Sequence, residues 1–236
     1  MYTSKKIAFC LIALCTLSGY SQLQPPNNNS TLQDLVFFID VNNKKYANAE
    51  GSKYIFEEFK LAKIEGLAGS HLVRFDPVDN IIQLKKEKNR ILSLSKKYQY
   101  KIDLLDGSGS YETQQYIDSD GKIENTFFEK IYTSAEFSLF KKHRIKFQPS
   151  KPAKSSYEPE TPAKFIKLDD SYYLMNQVDN PKHLVQIPKK KKALLNFFGK
   201  KSSEVSKFVK TQKLKTDSEE DLIRIIGYYF KTTSKR

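Results

Sequence analysis

The chain is poor in the residues that mark several protein classes. Its 236 residues include two cysteines, nine glycines, nine prolines and no tryptophan. So few cysteines exclude a disulfide-rich scaffold, and the low glycine and proline content excludes a collagen-like chain. Charged residues make up 28% of the chain, which excludes a polytopic membrane protein, and apolar residues make up 39%. This apolar content is too high for a disordered chain and is typical of a soluble globular protein.

The first 21 residues have the three regions of a secretory signal peptide. A basic start is followed by an apolar stretch over residues 7–17 and by small residues before Gln22. The apolar stretch is too short for a membrane-spanning helix, which needs about 20 apolar residues. Neither Cys10 nor Cys15 follows the residues of a lipoprotein signal. We therefore expect cleavage near Ser21–Gln22 and a secreted or periplasmic protein without a lipid anchor.

Cleavage at this position would remove both cysteines. The mature protein could then form no disulfide, have no disulfide-linked partner and offer no thiolate to a metal ion. Residues 22–30, a polar stretch rich in proline and asparagine, are expected to form a flexible leader. Residues 31–236 are expected to form a single domain.

Turn signals and alternating apolar residues predict an antiparallel sheet. Between Tyr98 and Leu104 every second residue is large and apolar, as in a strand with one buried face. Clusters of turn-forming residues recur at hairpin spacing, for example at residues 76–80 and 106–109. The pattern predicts a meander of roughly eight or more strands over residues 54–187, which could curl into an open barrel.

After Pro188 the apolar residues recur with the period of a helix. A first helix is expected to end at Gly199, and a second to begin near Ser202. A third is expected to begin near Thr216, where acidic residues suit the positive end of the helix dipole. The predicted fold class is α+β: an antiparallel meander sheet followed by three short helices, basic and confined to residues 188–236, that cover one face or one end of the sheet.

The formal net charge of +13 is concentrated in the same C-terminal part. Residues 182–236 contain fifteen basic and five acidic residues, whereas residues 22–181 have a net charge of only +1. Clustered lysines bind phosphate and other anions, so lipid head groups, acidic polysaccharide or extracellular DNA would all fit. The solvent-exposed sides of amphipathic helices would explain the same lysines without a ligand. The candidate anion-binding face consists of Lys189, Lys190, Lys191, Lys192, Lys200, Lys201, Lys207 and Lys210.

The sequence contains no motif of a catalytic or cofactor site. Its scattered glycines offer no phosphate-binding loop, and His71, His143 and His183 lack the spacing of metal ligands. Asp118, Asp120 and Glu129 match three positions of a calcium loop. A hairpin turn explains these residues better, because Lys122 would stand where calcium needs an oxygen ligand. We therefore expect no metal site and no cofactor.

Several segments resemble uncharacterised secreted proteins of the Bacteroidota. They are the Ser-Gln end of the signal peptide, residues 51–59 (GSKYIFEEF), residues 72–80 (LVRFDPVDN) and the end of the basic tail, residues 221–229 (DLIRIIGYY). The resemblance extends over most of the mature chain. It implies a location in a Gram-negative envelope or outside the cell, and it implies no catalytic residue.

The expected function is that of a non-enzymatic binding module of the cell envelope, whose basic helical face meets an anionic surface or another envelope protein. One alternative is a carrier of a lipid or lipoprotein acyl chain, with a half-barrel lined by Tyr and Phe, similar in outline to periplasmic lipoprotein carriers. The same aromatic residues could instead fill a core without tryptophan. A second alternative is a hydrolase acting on an envelope polymer, with Asp118, Asp120 or Glu129 as candidate acids.

Overall fold

The computed structural model describes residues 36–38, 46–86, 90–117, 121–153, 159–178 and 184–233. The expected signal peptide and leader, residues 1–30, lie outside these ranges, as do Asp118, Asp120 and His183. Within them the chain forms strands β1 (Val36–Phe38), β2 (Lys60–Ile64), β3 (His71–Asp76), β4 (Ile81–Lys85), β5 (Ile91–Leu94), β6 (Lys101–Leu104), β7 (Ser110–Ile117), β8 (Ile123–Thr133), β9 (Phe137–Lys142), β10 (Ile145–Gln148), β11 (Lys164–Lys167), β12 (Ser171–Asn176) and β13 (Leu184–Gln186). It also forms helices α1 (Lys191–Phe197), α2 (Ser202–Thr211) and α3 (Glu219–Thr233).

Eleven of the strands form one antiparallel sheet, in the order β1-β5-β4-β3-β2-β6-β7-β8-β9-β12-β13. Consecutive strands pair as hairpins from β2 to β5 and from β6 to β9, and β2 also pairs with β6. β10 and β11 form a separate two-stranded sheet. The main sheet curls into an open half-barrel. In this shape β4 comes close to β8, and β13 comes close to β7, without pairing between them. The predicted α+β fold class is confirmed.

The three C-terminal helices also follow the prediction. α1 ends just before Gly199, whose φ of +53° is a left-handed conformation that glycine adopts at little cost. α3 begins with three acidic residues in its first turn, which suits the partial positive charge there. Among the described residues, no helix is long and apolar enough to cross a membrane.

The concave face of the sheet is packed with aromatic rings. Tyr100 and Phe127 are fully buried, and their ring centroids are 6.3 Å apart. Phe75 lies 5.3 Å from Tyr111 and 6.5 Å from Phe127, again between ring centroids. At this end of the half-barrel, side chains that contact each other therefore occupy the space in which the carrier alternative would place a ligand.

The opposite face of the central strands is buried as well. Phe128 follows Phe127 on β8, points to the other side and is also fully buried. Its ring centroid lies 5.0 Å from that of Tyr173 and 6.2 Å from that of Phe140. The adjacent residues Phe127 and Phe128 thus belong to two cores, one on each face of the sheet.

The helices cover the apolar residues of β9 and β12. Phe137 of β9 and Leu174 of β12 belong to the same buried cluster as the apolar residues of all three helices. Phe230 of α3 stacks on Phe137, with ring centroids 5.1 Å apart and an angle of 12° between the ring planes. The helices are therefore an integral layer of the domain.

The first strand of the expected meander begins later than its pattern suggests. Residues 54–58 form bends, and the strand itself begins at Lys60. In these bends the Arg74 guanidinium carbon lies 3.6 Å from the ring centroid of Tyr54 and 4.3 Å from that of Phe59. Tyr54 and Phe59 thus stack on an arginine and do not belong to a strand. β1, at residues 36–38, also lies before the region in which strands were expected.

Replacing Phe127 with alanine should lower the free energy of unfolding by about 3–5 kcal/mol, because it empties a fully buried site. Urea denaturation followed by circular dichroism measures the change. Leu61→Ala is the control: this side chain lies on β2 but is 47% exposed, so the expected loss is below about 1 kcal/mol. A loss for Phe127→Ala as small as that for Leu61→Ala would show that the concave face is not a packed core.

Candidate anion-binding site

Helices α1 and α2 and the 3₁₀ turn between them, Gly199–Lys201, border an open groove of about 840 Å³. We call it the helical groove. Eleven residues line it, and nine of them carry polar or charged side chains. Its charged residues are Lys192, Lys200, Lys207 and Lys210. Its uncharged polar residues are Asn196, Ser202, Ser203, Ser206 and Thr211.

The lysines of the groove point outward because the opposite sides of both helices are apolar. Leu194 of α1 and Val205 and Val209 of α2 are at most 1% exposed and pack against the sheet. Lys207 lies between Val205 and Val209, Lys210 follows Val209, and both lysines are exposed on the solvent side of α2. The amphipathic pattern that buries the helices therefore also collects the lysines on one side.

The polar side chains of the groove have no partner among the residues that the structure describes. No described carboxylate lies within 4.0 Å of the four lysine ammonium groups. The three serine hydroxyls, the Thr211 hydroxyl and the Asn196 amide likewise make no hydrogen bond to a described residue. Four uncompensated positive charges around one groove create a local positive potential that favours an anion.

The structure brings together only four of the eight lysines in the candidate face. Lys189 donates a hydrogen bond of 2.8 Å to the Asp169 carbonyl, and Lys201 forms an ion pair of 2.8 Å with Glu204. Lys190 and Lys191 are exposed where α1 begins but do not line the groove. The face expected from the sequence is thus wider than the site that the helices build.

Sequence reasoning missed the uncharged polar residues that line the groove. Ser203, Ser206, Lys207 and Lys210 recur at the i, i+3, i+4 and i+7 positions of one helix side. This spacing was the available signal, but it becomes informative only once the opposite side of α2 is known to be buried. The contribution of Lys192 and Asn196 from α1 depends on how the two helices pack, which no local pattern reveals.

A second group of charged side chains lies between the sheet and the start of α3. His143 Nε2 is 2.6 Å from Glu129 Oε2, and His143 Nδ1 is 3.5 Å from Asp170 Oδ1. Lys141 Nζ is 3.1 Å from Glu129 Oε2 and 3.1 Å from Glu219 Oε2. A chain of ion pairs, which we call the histidine network, therefore joins β8 and β9 to the first turn of α3.

The charges of the histidine network shift the pKa values of its members. Burial disfavours the charged form of His143, but its interactions with the Asp170 and Glu129 carboxylates outweigh this effect and raise its pKa above the usual value for histidine. Burial also opposes ionisation of Glu129 and Asp170, yet the nearby His143 holds both pKa values below the usual range, through a hydrogen bond to Glu129 and an ion pair with Asp170. The network is thus stabilised with His143 positively charged and both carboxylates ionised.

The histidine network does not have the geometry of a catalytic acid–base pair. Both ring nitrogens of His143 face carboxylates, so neither is directed toward a substrate. Glu129, the one acid of the hydrolase alternative that the structure describes, is held by His143 and Lys141. In the described parts of the chain, no group of three or more His, Cys, Asp or Glu residues could hold a metal ion.

Comparison with protein-family models, with curated proteins and with solved structures found no match to this chain.

The free energy of unfolding should decrease as the pH rises above about 6.5, because the raised pKa of His143 makes its charged form a source of native-state stability. This contribution is complete below the pKa of an unfolded histidine and is lost as the pH rises through the folded-state pKa. Urea unfolding at a series of pH values from mildly acidic to mildly alkaline measures it.

His143→Gln should remove this alkaline decrease, since glutamine carries no titrating charge. His71→Gln is the matched control, because burial and the nearby Lys86 lower the pKa of His71. Its contribution to stability is therefore lost toward acidic pH, and the alkaline decrease should persist in this variant. An alkaline decrease that survives in His143→Gln would assign the effect to another group.

Proposed function

We propose that this protein is a secreted or periplasmic binding module without catalytic activity, and that its helical groove binds an anionic partner. The observation that carries the proposal is the set of four lysines around one groove, none of them neutralised by a described carboxylate. Lysines elsewhere in the fold are often paired, as Lys53 is with Asp76 and Lys130 is with Glu112. The groove therefore concentrates free positive charge where the helices form a concave surface.

The charge distribution of the chain supports the same location. The fifteen basic residues of the C-terminal 55 residues outnumber the acidic ones threefold, whereas the rest of the mature chain is nearly neutral. An anionic partner approaching from solution would thus be attracted to the helical end. The three-region N-terminus over residues 1–21 supports a secreted or periplasmic location.

The proposal predicts that heparin, used as a general polyanion, binds at low ionic strength and that its affinity decreases steeply with added salt. Replacing all four groove lysines with glutamine (K192Q/K200Q/K207Q/K210Q) should weaken binding by about tenfold or more, because it removes the converging charges. Glutamine and lysine have similar helix propensities, so the helices should remain folded. Isothermal titration calorimetry measures the affinity, and circular dichroism checks the fold.

The matched control removes the same charge from elsewhere. Four other lysines are exposed, lie outside the groove and make no ion pair with a described residue: Lys63, Lys97, Lys146 and Lys151. Their fourfold replacement with glutamine should reduce heparin affinity much less. Equal losses for the two variants would mean that net charge alone drives binding, and no binding at low ionic strength would refute the proposed function.

A further inference from the structure

We propose that the ligand of the helical groove carries clustered phosphate groups. This inference rests on the proposed function of the groove and names the chemistry of its ligand. It depends on three properties of the lining: which basic residue it uses, which uncharged donors accompany that residue, and which side chains are absent from the described lining.

The first property is that every basic residue of the groove is lysine. Lysine offers a compact charge with three donors that can turn toward several oxygen atoms, and it binds phosphate as a point charge. Arginine would be expected where two parallel hydrogen bonds hold a carboxylate or a phosphate in one fixed plane. The nearest arginine in the sequence, Arg224, instead pairs with Asp221 on α3, at 3.3 Å.

The second property is a set of neutral donors beside the lysines. Ser203 and Ser206 lie on the same side of α2 as Lys207, and Asn196 faces them from α1. A phosphate group has three or four oxygen atoms and can accept hydrogen bonds from hydroxyl, amide and ammonium groups together. A carboxylate has only two oxygen atoms and leaves more of these donors without an acceptor.

The third property is the lack of a stacking surface among the described lining residues. None of them is aromatic, so a nucleobase or a sugar ring would find no flat partner in the groove. The described aromatic residues of the helices and of their connections contact other rings instead. Phe208 stacks on Tyr228 with ring centroids 4.0 Å apart, and Phe198 lies 5.0 Å from Tyr229. Recognition must therefore depend on the charged and polar groups of the ligand.

The positions of the four lysines indicate more than one phosphate. Lys207 and Lys210 are neighbours on one side of α2, whereas Lys192 lies on α1 and Lys200 in the turn between the helices. A groove of about 840 Å³ is much larger than a single phosphate group. A ligand with several phosphates close together would reach lysines on both helices at once.

The test compares two small anions that each carry six acidic groups on a six-membered ring. Inositol hexakisphosphate should bind the wild-type protein at least about tenfold more tightly than benzene hexacarboxylate, as measured by isothermal titration calorimetry at equal ionic strength. The triple variant S202A/S203A/S206A retains every charge and should lose most of this preference while it still binds the carboxylate. Alanine favours the helix more than serine does, so this variant should fold.

A second variant tests the choice of lysine. K192R/K200R/K207R/K210R keeps the charge of the groove but replaces the point charges with planar groups that pair with carboxylate and phosphate alike, so benzene hexacarboxylate should bind this variant more tightly than it binds the wild-type protein. If the wild-type protein binds both anions equally, or if the serine variant keeps the full preference, the inference about phosphate is wrong. In that case heparin binding that still depends on the four lysines would leave the proposed function intact.

The same phosphate chemistry could come from a soluble molecule or from a lipid head group, and vesicles separate the two sources. Phosphatidylcholine vesicles that contain phosphatidic acid present phosphate monoesters on a surface. Sedimentation with these vesicles, lost in the serine variant, would support a lipid source. Binding of inositol hexakisphosphate without such sedimentation would support a soluble source. Binding of neither probe would overturn the inference.

Discussion

The structure depends on the burial of strand β8 on both of its faces. Phe127 and Phe128 are adjacent in sequence and both fully buried, so each face of the strand needs its own cover. The sheet meets this requirement by curling, which brings β4 toward β8 on one side and β13 toward β7 at the other end. The apolar residues that curling leaves uncovered on β9 and β12 are covered by the three helices.

This arrangement decides where the positive charge is presented. Because one side of each helix is buried in the core, the lysines must lie on the opposite side. The histidine network attaches α3 to the sheet at a second place, since Lys141 on β9 forms an ion pair with Glu219 in the first turn of α3. The helical groove is thus formed by elements that pack on the sheet, and no described residue of the sheet belongs to its lining.

Much of the fold could be predicted because it follows from short-range patterns. The turn at residues 106–109 and the helix end at Gly199 depend on local backbone preferences that a sequence shows directly.

The candidate site was less predictable than the fold. The run of lysines from Lys189 to Lys192 looks uniform, yet only Lys192 lines the groove and Lys189 contacts Asp169, because helix phase and tertiary packing separate them. The histidine network joins residues far apart in sequence, and no local spacing reveals it.

The stacking of Phe230 on Phe137 has a consequence for motion and for the thermodynamics of binding. A helix that shares its core with the sheet cannot swing away without exposing large aromatic surfaces to water. Its backbone amides should therefore exchange hydrogen with solvent through the same large opening events as those of β9. Helices α1 and α2, which line the groove, belong to the same buried cluster, so a ligand would meet walls that are already ordered and little conformational entropy would be lost from the backbone on binding.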